Sequence, residues 1–158
     1  MKTKKKSPKN RKSAKKQLIQ KAGIAMKNQF FLEASWLISE ILEKRLKSLL
    51  EIAENQKPGA GYSLEQCIKR LKHIHMSGKS PMVRDHIDMK LIEKARSWKN
   101  QRNTMVKDML FVHVSKVRKE KLAMDGIRLL KEWNKEIKAF KAGQLLTVTK
   151  TTEEIPPQ

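Results

Sequence analysis

The long stretches of this chain in which apolar residues recur three and four apart contain no proline, and that combination leaves little choice but long helices. Proline inside a helix removes a backbone hydrogen bond and clashes with the preceding turn. The five prolines stand at positions 8, 58, 81, 156 and 157, outside every long periodic stretch. From about Ile19 to Glu54, the residues Phe30, Phe31, Ala34, Leu37, Ile38, Ile41, Leu42, Leu46, Leu49, Leu50 and Ala53 mark one helical face. Glu40 with Lys44 and Glu43 with Lys47 decorate the other side, in the orientation that supports a helix.

Asn55-Gln56-Lys57-Pro58-Gly59-Ala60-Gly61 ends this stretch as a loop. Ser63 then reads as an N-cap, with Gln66 three residues on completing a capping box. Leu64, Cys67, Ile68 and Leu71 give that short helix its inner face. The run from His73 to Pro81 reads as a second connection. Beyond it, Val83, Ile87, Leu91, Ile92, Ala95, Trp98, Met105, Val106, Met109, Leu110 and Val112 keep helical spacing. One helix from about Met82 to Val114 fits this pattern, and so do two with a break near Asp85 to Asp88. A last segment places Val117, Met124, Ile127, Leu130, Trp133, Ile137 and Phe140 inward, with Gly143 as its C-cap.

The expectation is an all-α fold, a bundle of four to five helices over residues 18–142. It is flanked by a disordered basic tail at 1–17 and a short flexible tail at 143–158. No run of apolar residues reaches the ~18 that a membrane span needs, and one cysteine excludes an internal disulfide. These features point to a soluble, cytoplasmic protein. No metal-ligand spacing is present beyond His73 and His75, which have no third ligand nearby, and no cofactor motif is found.

Charge narrows the partners. Net charge is +20, and residues 1–32 hold eleven Lys or Arg and no acid. Such a protein attracts polyanions, nucleic acid among them. The candidate nucleic-acid contacts are Lys4, Lys5, Lys6, Lys9, Arg11, Lys12, Lys15 and Lys16 in the tail. Arg118, Lys119, Lys121 and Arg128 join them from the basic side of the last helical segment.

Arg102 breaks the pattern most sharply, because it occupies a position on the apolar face that passes through Leu91, Ala95, Trp98, Met105 and Met109. A guanidinium cannot shed its charge, so a core-facing Arg needs a partner or a ligand. Glu33, Glu40 or Glu43 on the first long helix could supply a carboxylate, and a phosphate could do so from outside. Asn103 and Lys107 lie four apart on the adjoining strip and complete a small polar and cationic cluster.

The string Trp98, Arg102-Asn103 and Val106, set after a long first helix, a glycine-containing loop and a short helix, resembles the HEPN superfamily over roughly residues 30–141. The resemblance implies an all-α domain, often dimeric, related to ribonuclease toxins and antiviral nucleases. A homodimer and a cognate antitoxin are the partners it implies. In that family the catalytic Arg is followed, after four to six residues, by a His. Here those positions hold Lys107, Asp108 and Met109. The resemblance thus transfers Arg102 and Asn103, but not a catalytic pair, and Lys107 is a poor general base. The sequence reading is an RNA-binding, HEPN-like protein without efficient nuclease activity. Its rivals are an active, metal-independent endoribonuclease toxin and a helical protein–protein interaction module.

Overall fold

The computed structural model describes the backbone of residues 8–59 and 61–153 and the side chains of residues 16–59 and 61–143. Every regular element among them is helical: α1 (Pro8–Lys27), α2 (Phe31–Glu54), α3 (Leu64–Ser77), α4 (Pro81–His86), α5 (Met89–Asp108) and α6 (Lys116–Glu153). The all-α expectation holds, with six helices in place of four or five.

The added helices come from breaks that carry little sequence signal. The stretch read as one helix from Ile19 to Glu54 is a hairpin of α1 and α2. Gln29 turns the chain with a φ of 61°. Phe30 N–H donates to the Ala25 carbonyl at 2.8 Å, and Gln29 N–H donates to that of Met26 at 3.1 Å. This is the Schellman closure that a glycine would usually make. Between α4 and α5 the chain breaks at Ile87, and the Asp88 side chain caps α5 by accepting from Lys90 N–H. Of the two readings left open for that stretch, the one with a break is the one observed.

Four boundaries differ from expectation, one being the end of α5 at Asp108 in place of about Val114. Pro8 to Gln17, assigned to the tail, form the first half of α1; Lys, Arg, Gln and Ala favour helix, and proline suits a first turn. Residues 1–7, with Lys4, Lys5 and Lys6, lie outside the described residues. His73 to Ser77, read as a connection, extend α3, which ends only at the left-handed Gly78. At the other end, α6 does not stop at Gly143 but runs on to Glu153.

Four helices close a ring: α2 lies against α3 and α6, and α5 lies against both α3 and α6. α4 bridges α3 and α6, while α1 packs on the outside of α2. Ile38, Leu42 and Leu46 of α2 meet Leu71 and Ile74 of α3, Ile92 of α5, and Trp133 and Phe140 of α6 in one core. The capping box at Ser63 is present with both of its bonds. The Glu40–Lys44 and Glu43–Lys47 pairs both form, at 2.6 Å. On α6 the inner face is set differently from the sequence reading. Leu122, Ala123 and Leu129 are buried, whereas Val117 and Met124 face outward, because the helix must satisfy α2 and α5 at once.

The α5–α6 crossing is a close joint. The Trp98 indole is buried and donates from Nε1 to the Leu122 carbonyl at 2.9 Å. Its ring lies against Gly126, where an added Cβ would stand 2.7 Å from the indole. A helix-interior alanine normally gains about 1 kcal/mol over glycine. Here overpacking opposes that gain by roughly 1–3 kcal/mol. Gly126→Ala is therefore expected to lower the urea midpoint without changing the slope of the transition; a raised midpoint would show that the indole can move aside.

Candidate functional site

α5 separates two grooves. On one side, a groove of about 660 Å³ lies between the N-terminal half of α2, the start of α3 and the middle of α5. Arg102 borders it, half-buried, with its guanidinium carbon 4.9 Å from the centroid of the Trp36 ring. The same guanidinium donates from an η nitrogen to Asn103 Oδ1 at 3.1 Å. Its Nε is buried with no acceptor, and burial lowers the group from its ordinary value, although an arginine stays charged.

The expectation that Glu33, Glu40 or Glu43 would pair with Arg102 is not met. Three carboxylates do line the groove, but each is held elsewhere. Glu40 takes Lys44, Glu43 takes Lys47 and the Leu64 N–H at 3.1 Å, and Glu65 takes Lys69 and Lys99. Lysines at helical spacing on the same element reach these acids with less ordering than a cross-helix arginine requires. Arg102 thus carries a charge that no carboxylate offsets among the described residues.

On the other side of α5, a groove of about 670 Å³ runs along α6. Arg96, Arg118 and Lys121 supply its cations, and Ser97, Asn100, Gln101 and Thr104 of α5 supply neutral donors and acceptors. Arg118 is tied to Asp108 at 2.7 Å, which closes the end of α5 onto the start of α6. Glu93 is engaged by Lys72, whose ammonium holds its carboxyl below the usual range. Lys121 is exposed and has no ion pair among the described residues.

The remaining sequence candidates scatter. Lys107 is exposed in the last turn of α5 and does not line the Arg102 groove, so the predicted trio is brought together only as Arg102 and Asn103. Lys119 sits beside Phe30 and Phe31, and Arg128 pairs with Asp125 at 3.1 Å. Lys16 is exposed on α1. Lys9, Arg11, Lys12 and Lys15 belong to α1 by backbone, and their side chains lie outside the described residues. His113 is exposed on the connection after α5 rather than further along the helix. Neither groove is lined by a histidine.

Sequence reasoning missed three features. Trp36 lies on α2 one position away from the apolar stripe, and this large indole on the polar side is 53% exposed. Arg45 is half-buried and donates to the Leu130 carbonyl at 3.2 Å, tying α2 to α6. The third is the connection Met109–Ser115, whose Leu110, Phe111 and Val112 continue the apolar pattern yet stand 76%, 86% and 59% exposed. Only Trp36 had a readable signal, because it falls off the stripe that its neighbours define.

No group of three metal-ligating side chains exists among the described residues, and no helix there is long and apolar enough to cross a membrane. His73 and His75 both lie on α3, where residues two apart point to different sides. Cys67 is fully buried, and burial pushes its thiol up from 9.0 to about 11, so it is a packing residue and not a nucleophile. The unfolded chain releases this proton first as the pH rises. Stability from the thiol is therefore complete below about pH 9 and drains away towards pH 11. Relative to Cys67→Ala, the wild type should lose at least about 1 kcal/mol across that window in urea titrations at stepped pH; parallel curves would refute it.

The chain matches no protein-family model, no characterised protein and no solved structure.

Proposed function

We propose that this protein binds RNA, chiefly by its phosphates, and that it does so without efficient nuclease chemistry. One observation carries the reading: Arg102 is a half-buried permanent cation beside three carboxylates, all of which are taken by lysines. Its charge, together with the Asn103 amide, is left for an anion arriving from outside. The whole chain adds the steering field, since a net charge of +20 draws polyanions over long range.

The exposed Lys16, Lys21 and Lys27 of α1, and Lys121 on α6, extend this field beyond the groove. Arg118 and Arg128 contribute less, because Asp108 and Asp125 offset them. On this reading the likeness of Trp98, Arg102-Asn103 and Val106 to the HEPN superfamily belongs to the scaffold and the anion seat. Cleavage by 2′-hydroxyl attack needs a group that exchanges protons near neutral pH, and the groove around Arg102 is lined by amide, hydroxyl, ammonium, guanidinium and carboxylate groups instead.

Fluorescence anisotropy with labelled RNA tests the proposal. Affinity should fall by about tenfold or more between roughly 50 and 200 mM salt, with little dependence on sequence. Arg102→Ala should weaken binding by roughly tenfold at fixed salt. An affinity indifferent to both changes sinks the reading, and RNA cleavage that disappears in Arg102→Ala would replace it with a ribonuclease.

A second reading, a helical protein–protein interaction module, rests on the exposed Leu110, Phe111 and Val112. A contiguous apolar surface of this kind often marks an interface. It predicts partner capture that survives deletion of residues 1–17 and is lost in Phe111→Ser; the reverse pattern would exclude it.

A further inference from the structure

We infer that Trp36 and Arg102 form a stacking platform for an unpaired nucleobase, which makes single-stranded nucleic acid the ligand of this groove. The inference rests on the RNA-binding reading and adds to it the part of the ligand that is recognised. Phosphate attraction alone does not distinguish a single strand from a duplex or from any other polyanion. A flat, exposed aromatic ring does, because pairing hides the base faces on which it would act.

The three tryptophans of the chain set the contrast. Trp98 and Trp133 are packing residues, 4% and 0% exposed, whereas Trp36 is 53% exposed. Arg102 lies over the Trp36 ring, and the indole is still about half exposed. A cation held against the ring also pre-orders the guanidinium, lowering the entropy cost of engaging a ligand. The groove volume of about 660 Å³ is in the range of small-ligand sites.

Away from Arg102, its lining favours a base over a second phosphate. Glu40, Glu43 and Glu65 lie along it, and even when paired they leave the floor unwelcoming to a second anion. A neutral heterocycle meets no such repulsion. It would lie against Trp36, with the Asn103 amide able to donate or accept at its edge and its own phosphate facing the uncompensated charge of Arg102. The platform is indifferent to base identity, because every base offers a π-face.

Tryptophan emission provides the test, since Trp36 is the exposed member of the three. The full chain is titrated with a single-stranded oligonucleotide, with an abasic strand of equal length, and with a duplex. The single strand should quench the emission, while the abasic strand and the duplex bind without quenching. Trp36→Ala should lose about tenfold or more in affinity for the single strand and far less for the abasic strand, with Trp36→Phe in between. Binding of all three ligands without a change in emission, or equal quenching by the abasic strand, overturns the platform and leaves the phosphate reading standing. Failure of all three to bind overturns both.

Discussion

The structure depends on the burial of α2 from several sides. Ten of its 24 residues are buried, and α1, α3 and α6 all lie against it. A helix covered this widely cannot keep a single narrow stripe, and two serines, Ser35 and Ser39, are buried along with its aliphatic residues. The Ser35 hydroxyl remains satisfied by donating to the Leu32 carbonyl at 2.7 Å, as a buried polar group must be. The other helices take their places from this one: α3 and α6 flank it, and α5 completes the ring by bridging them.

Much of this was legible, and for a physical reason. Helical periodicity records which side of an element is buried, so the inner residues of α2, α3 and α5 could be read from spacing. Ser63 and Gln66 announced the start of α3 because capping is a local interaction. The turn at Gln29 was not legible, since its left-handed backbone is filled by a residue with no turn preference. The end of α5 was hidden too: Met109 to Val112 continue the apolar pattern but face water. Pattern records where apolar residues occur, not whether a neighbour exists to cover them.

The candidate site shows the same division. That Arg102 is anomalous follows from its place on an apolar face, a one-dimensional fact. How the anomaly is resolved depends on which acids are already engaged, and that is a property of three dimensions. Glu40 and Glu43 were reachable in principle, but lysines four residues away on the same helix claim them first. Trp36 then meets the guanidinium from α2. A planar cation on an aromatic ring gives up less of its availability to an incoming anion than one locked to a carboxylate.

The attachment of α1 carries a consequence for the energetics of the whole molecule. This helix rests on α2, and Ala22 and Ala25 are its buried apolar residues among those described. Two methyl groups and the partly buried Leu18 and Met26 provide modest apolar area, while the lysines along the helix repel one another. Opening of α1 therefore belongs at the shallow end of the protein's free-energy hierarchy, well below global unfolding, and its amide protons would exchange before those of the ring. Added salt weakens that repulsion and so steadies α1 on α2. The same ions would loosen a grip on phosphates, which sets the order of the most basic helix against the strength of binding.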